Sequence, residues 1–262
     1  MANQEYLALL ERGVEDWNEW RQMQSVKPDL SGANLSKIDL ELIDFTRTDL
    51  NGANLSQASL RGAYLRDADL SNTLLLEIDL QDADLRNALL YNADLTKAKL
   101  IRAQLLNANL TGAILRDANL CDANLSWADL TNVDLRGANL TGVDFSRAKL
   151  QAANFNLVDL CATNLIEADF RQANLVGVDF SGANLSRANL SGADLREAYL
   201  FDVKLAGADL TGCNLKGACL HAIDLREVKL EGANLSGTDL EGAILPVNKR
   251  AVGNQDDITL GY

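Results

Sequence analysis

The chain has little of what most catalytic and membrane-borne chemistry requires. One histidine, His221, stands among 262 residues, too few for a histidine-based metal cluster or a convincing nucleophile–histidine–acid triad. Two prolines and 5% aromatic residues mean that any core is filled by something other than rings. No apolar run reaches the ~18 residues of a membrane span. The opening MANQEYLALLERGVEDW already carries acids, so a secretory leader is not expected either. Basic residues number 24 against 37 acidic ones, a net charge of −13. That balance argues against direct contact with nucleic-acid phosphates or anionic lipid and permits a basic protein partner.

What the sequence has instead is a period. Every position divisible by five from Leu30 to Leu245 is Leu or Phe, 44 in succession without an insertion. The residue two before each centre is Ala in 28 of the 44 repeats and never charged. Two inward residues spaced two apart mark an extended segment, so the residue between them and the one after the centre face out. The place before the centre is Asp in 18 repeats and Asn in 13. At such regular spacing these read as solvated ladders rather than acid–base pairs. Five is odd, so strict alternation would turn the next repeat inside out unless one residue bends. All 15 glycines of the array, Gly32, Gly182 and Gly242 among them, lie two after a centre, where a corner needs them. They mark corners, not a phosphate-cradling loop. A chain that turns the same way at every corner coils into a β-solenoid whose neighbouring coils pair as in a parallel sheet.

The stretch SGANLSRANLSGADLREAYL at 181–200 resembles the pentapeptide repeat family, with its A-(D/N)-L-x-x pattern; members are abundant in cyanobacteria. The resemblance implies a right-handed quadrilateral parallel β-helix with four repeats per coil. The expected fold class is therefore all-β, with about 11 coils and a length of ~53 Å at ~4.8 Å per coil. Residues 28–247 form this array, 1–27 an N-terminal helical cap and 248–262 a C-terminal tail.

An open solenoid end invites end-to-end pairing and needs a lid. Over residues 4–24 the spacing predicts a helix capped by Asn3, with Tyr6, Leu10, Val14, Trp17 and Met23 near one face, Trp20 beside them, and Pro28 helping to stop it. The aromatic residues read as a lid on the first coil rather than a ligand site. The tail ends in Ile258, Leu260 and Tyr262; it folds back over the last coil, pairs with a second rod or stays unordered. The chain is expected to be a monomer, or a dimer through this end.

Folding the sequence at period 20 sorts the outward residues onto four sides, named by their first centres Leu30, Leu35, Leu40 and Phe45. Their charges are −4, 0, −7 and 0. The third side carries a candidate acidic interaction surface, Asp39, Glu41, Asp79, Asp82, Asp239 and Glu241, all expected to point to solvent, with Lys99 and Arg102 interrupting it. It also carries a candidate apolar contact patch, Tyr199 next to Cys219 and Phe201 next to His221. Cys219 and His221 alone are two ligands, so a contact patch is the stronger reading and no metal or cofactor is expected. Cys121 and Cys161 lie two coils apart, ~9.6 Å, too far to bridge. Cys213 faces in and Cys219 out. Four unpaired thiols suit a reducing cytoplasm.

These features point away from an enzyme and toward a structural or protein-interaction scaffold whose protein partner is unassigned. Some members of the resembled family are dimers that imitate duplex DNA and occupy the DNA site of gyrase. The acidic side makes a gyrase-binding DNA mimic, inhibiting or protecting that enzyme, the alternative.

Overall fold

Leucine at every fifth position is buried because the backbone closes a coil in four repeats. In the computed structural model, which describes residues 2–245, the residue before a centre forms a parallel bridge with the residue 20 positions on at all but two steps: Asp29 with Asp49, Asn34 with Asn54, Asp39 with Ser59, Asp44 with Tyr64. The number four, implied at first only by resemblance, is thus a property of this chain. Centres 30–45 make the first coil and 230–245 the eleventh. Each side carries bridges of a single residue and no longer strand, unlike the paired strands of an ordinary parallel sheet. A bend every fifth residue leaves room for nothing longer.

The corner is built the same way at nearly every repeat. The amide three after a centre hydrogen-bonds the centre's own carbonyl, as in Ala33 N to Leu30 O at 3.1 Å. The third residue of this four-residue turn has positive φ, 67° at Gly32, the mark of a type II turn. Glycine is not the rule there: Leu42, Trp127, Leu157 and 24 other non-glycine residues hold φ between 54° and 62° at the same place. Each pays roughly 1 kcal/mol in the left-handed region, which the ladders on both sides of the corner must offset. Between residues 32 and 242, only Glu227 among the corner residues lacks positive φ.

The lumen is a stack of Leu with Ala between, from Leu30 to Leu235, almost all fully buried. Each buried Leu contributes on the order of 2 kcal/mol. Phe145, Phe155, Phe170 and Phe180 form one edge-on and tilted chain of rings with centroids 5.6–6.3 Å apart. Polar lumen groups bond to the wall, the Thr163 hydroxyl donating to Leu160 O at 2.7 Å and the Cys213 thiol to Leu190 O at 2.8 Å, whereas the buried Thr48 hydroxyl has no partner among the described residues. The ladder lacks a bridge at two steps, Asn139 to Asp159 and Lys204 to Asp224.

The cap is two helices, not one. Helix α1 spans Gln4–Leu10 and α2 spans Val14–Met23; Gly13, at φ 114°, breaks the chain between them. Asn3 caps α1 as expected, its Oδ1 accepting Glu5 N at 2.9 Å. Trp17 is fully buried, with Trp20 at 5.3 Å, Phe45 at 5.4 Å and Tyr6 at 6.4 Å between ring centroids. Leu10 packs half-buried against the core. Met23, placed on the inner face by spacing, is 78% exposed, because α2 ends there and Gln24 turns extended. The helix stops five residues before Pro28, which starts the first coil instead.

The cap also closes the open backbone edge. Inside the rod, the amide before a centre bonds a carbonyl of the coil below; Asp44 has no coil below, and its N–H goes to Asn18 Oδ1 at 2.8 Å. Trp17 Nε1 donates to Asp44 O at 2.8 Å, Asn18 Nδ2 to Leu42 O at 3.0 Å, and Arg21 to Thr46 O at 2.6 Å. The tail 248–262, with Ile258, Leu260 and Tyr262, lies outside the described residues, as do residues 246 and 247.

Leu140 is buried and Thr141 is exposed. Leu140→Asp is expected to destabilise by ~3 kcal/mol or more, since it places a charge between stacked Leu. Thr141→Ala is expected to change stability by about 0.5 kcal/mol or less. Thermal unfolding followed by circular dichroism distinguishes the two; equal melting temperatures would contradict the inward and outward assignment.

Candidate interaction surfaces

The outward Asp and Asn residues hold the corners. In all 31 repeats with Asp or Asn before the centre, its Oδ1 accepts the backbone N–H of the residue after the centre. This is an Asx turn. It satisfies an amide that points away from both neighbouring coils, so the ladders are structural and not merely solvated.

Of the six acids proposed as a surface, Asp39, Asp79 and Asp239 are committed to such corners, accepting from Glu41, Gln81 and Glu241. Asp79 is not open to solvent as expected: it is largely covered, with Arg61 at 3.8 Å and Lys99 at 3.7 Å. Asp82 is gripped by Arg102 at 2.6 Å. Asp39, Glu41, Asp239 and Glu241 are exposed. The six do not form one patch. They sit in coils 1, 3 and 11, with about 38 Å between the second pair and the third at ~4.8 Å per coil.

The apolar patch is brought together. Tyr199 bridges Cys219, and Cys219 bridges Asp239. Tyr199 and Phe201 are each 57% exposed, and His221 is half-buried one coil above Phe201. Its imidazole, Asp239 and Glu241 place one ligand atom each within 4.8 Å of one another. The acids escaped the reading of the patch because they had been assigned to the charge ladder, although the same period of 20 stacks 221 on 241. Sequence reasoning also missed Asn18 and Arg21, whose roles depend on where α2 lands. Leu157, 74% exposed, and Trp127, with the Arg147 guanidinium 4.7 Å above its ring, were likewise unforeseen.

Beside the patch, the missing bridge between Lys204 and Asp224 opens a crevice of about 490 Å3 lined by Val203, Lys204, Leu205, Asp224, Arg226 and Glu227. Glu227 is the corner without positive φ. A turn lacking it flips the peptide before its third residue, and the Arg226 carbonyl does not accept Gly207 N as most of its counterparts do.

The four cysteines are free thiols. Burial, reinforced by Asp159 and Asp179, pushes Cys161 up to about 12. Burial does the same to Cys213 and raises Cys121. These three are protonated at neutral pH and are poor nucleophiles.

A wall of single-residue bridges, repeated every 20 residues around a leucine lumen, defines a five-residue-repeat solenoid. The family model described as pentapeptide repeats matches in overlapping copies from 29–62 through 208–245: the chain belongs to the pentapeptide repeat family, whose members fold as right-handed quadrilateral β-helices. Similar solved structures include HetL, a pentapeptide repeat protein involved in heterocyst differentiation regulation from Nostoc sp. strain PCC 7120. It is 31% identical over 94% of this chain and 98% of its own, with a TM-score of 0.44. Full-length QnrB1, a plasmid-mediated fluoroquinolone resistance protein, is 21% identical over 79% of this chain and 91% of its own, with a TM-score of 0.31. Rfr23 from the cyanobacterium Cyanothece 51142 is 32% identical over 48% of this chain and 91% of its own, with a TM-score of 0.16. No curated protein matches the chain. Among the described residues no helix is long and apolar enough to cross a membrane.

The ion-paired corners make stability depend on acid. Charged hydrogen bonds from Arg136, against the upward push of partial burial and with help from Arg116, hold Asp134 down to about 2. Arg226 holds Asp224 at about 2. A carboxylate whose pKa is lower folded than unfolded (~3.9) contributes stability that is full above the unfolded value and lost as pH falls through the folded one. The melting temperature is therefore expected to fall between about pH 4 and pH 2, and less steeply in Asp134→Asn. An identical acid limb in that variant would contradict the assignment.

Proposed function

We propose that the protein is a non-catalytic scaffold, a rigid rod of residues 28–247 closed by the 1–27 cap, which binds another protein through the exposed face around Tyr199 and Phe201. The observation that carries this reading is the pair of aromatic side chains, each 57% exposed, on a wall whose backbone is fixed above and below. Paired exposed aromatics on a preordered frame are what protein interfaces use as anchors. Four free thiols support a reducing, cytoplasmic setting. The tail 248–262 is left as the candidate route to a dimer.

The alternative, a DNA mimic acting on gyrase, needs an unbroken stripe of free negative charge. Arg61, Lys99 and Arg102 interrupt it in coils 2–4 by pairing with Asp79 and Asp82, which weighs against it.

Two assays separate the readings. Wild-type protein is expected to leave gyrase supercoiling unchanged, and capture of its partner from native extract is expected to be lost in Tyr199→Ala/Phe201→Ala and little affected by salt. Mimicry predicts supercoiling inhibition that is abolished by Glu41→Lys, Asp82→Lys and Glu241→Lys together. It should also weaken steeply as salt shortens the screening length from ~10 Å at 0.1 M to ~3 Å at 1 M. These three positions spare the corner bonds. Inhibition with that profile would overturn the scaffold reading.

A further inference from the structure

We propose that His221, Asp239 and Glu241 form a binding site for a first-row transition-metal ion of the zinc class, clamping the tenth coil to the eleventh. The three side chains come from successive coils in fixed register. Leu220 N bonds Asp239 O and Ala222 N bonds Glu241 O, each at 2.8 Å, so the imidazole and the two carboxylates stand over one another on the same side. Their ligand atoms lie within 4.8 Å of one another. A metal holding N and O donors at ~2.1 Å spaces them ~3–3.5 Å apart, so closure takes about an ångström of side-chain rotation. Both carboxylates are exposed, and the Glu241 side chain, which holds no corner, has that freedom.

The donors differ from Asp79 and Asp82 of the same side in two respects. Asp79 and Asp82 are already neutralised by arginine and lysine, whereas among the described residues no cation pairs with Asp239 or Glu241. The chain's one histidine is placed here. Asp239 Oδ1 serves its corner, accepting Glu241 N at 3.0 Å, and Oδ2 accepts the weak hydrogen bond of the Cys219 thiol at 3.9 Å, a proton that metal binding would displace. That thiol is the nearest candidate for a fourth ligand, with water as the substitute. One imidazole with two carboxylates suits Zn2+, Co2+ or Ni2+; Ca2+ and Mg2+ prefer a shell of oxygens alone.

The test uses the full-length, tag-free chain, stripped with a chelator and titrated with ZnCl2 and CoCl2 by calorimetry, with melting temperature as a second readout. One Zn2+ per chain is expected, with a rise in melting temperature, and 1 mM CaCl2 or MgCl2 is not expected to displace it. His221→Ala should weaken binding tenfold or more, on the scale by which even outer-shell partners act, and abolish the thermal shift. Glu241→Gln should weaken it as well. Both variants should keep the wild-type metal-free melting temperature, since neither side chain is in the lumen or in a corner bond. In the Co2+ complex a single paramagnetically shifted histidine resonance is expected. No Zn2+ binding by the wild type, equal binding by His221→Ala, or full displacement by Ca2+ would overturn the proposal.

Discussion

The hydrogen bond that an outward Asp or Asn accepts from the amide two residues on is the interaction that the rest of the structure rests on. A five-residue repeat must absorb one residue per side in a bend, and the bend exposes an N–H that neither neighbouring coil can reach. Without a local acceptor that amide would rely on solvent at every corner. Asp29 to Ser31 at 2.9 Å sets the pattern that recurs along the rod. With the corner satisfied, the centre Leu falls inward, the next coil lands 20 residues later, and the single-residue bridges follow. The left-handed residue beside each corner, glycine or not, is tolerated because ladder bonds hold it from above and below.

This assignment changes what the acidity means. Of the net charge of −13, much resides on carboxylates that serve as backbone acceptors, with Arg86, Arg136, Arg171, Arg196 and Arg226 folded onto their own repeat's Asp. The informative positions are then those where the corner acceptor is given up. Tyr199, Lys204, Cys219, Lys229 and Ile244 occupy that place in the last three coils. The aromatic face, the crevice at Lys204 and the His221 cluster lie among them. The same place is given up at Ser59, Tyr64, Leu74, Leu89, Lys99, Gln104 and Ile114 in coils 2–5; only in the last three coils do the departures gather an aromatic pair, a crevice and a histidine.

The period, the inward and outward faces, the corner and the presence of an aromatic cap were legible in the sequence, because each repeats or sits where an open end demands it. Four features were not. Bridges only one residue long follow from how little of each side is extended, which periodicity does not measure. The break at Gly13 and the outward turn of Met23 depend on how α2 docks, and a helical wheel drawn straight through Gly13 misplaces Met23. Asn18 and Arg21 act on carbonyls of the first coil, a contact no local pattern encodes. Asp and Asn looked interchangeable with any solvated residue until the amide they accept was in view.

The most direct test of the account separates the acceptor from the charge. Asp69 and Asp94 hold their corners at 3.0 Å and neither is in an ion pair with a described residue. Equilibrium denaturation of Asp→Asn and Asp→Ala variants at both positions isolates the Oδ1 contribution. The account predicts that Asn, which keeps the acceptor, stays within about 0.5 kcal/mol of wild type, whereas each Ala loses about 1 kcal/mol. Equal losses in the Asn and Ala variants, or no loss in the Ala variants, would contradict it.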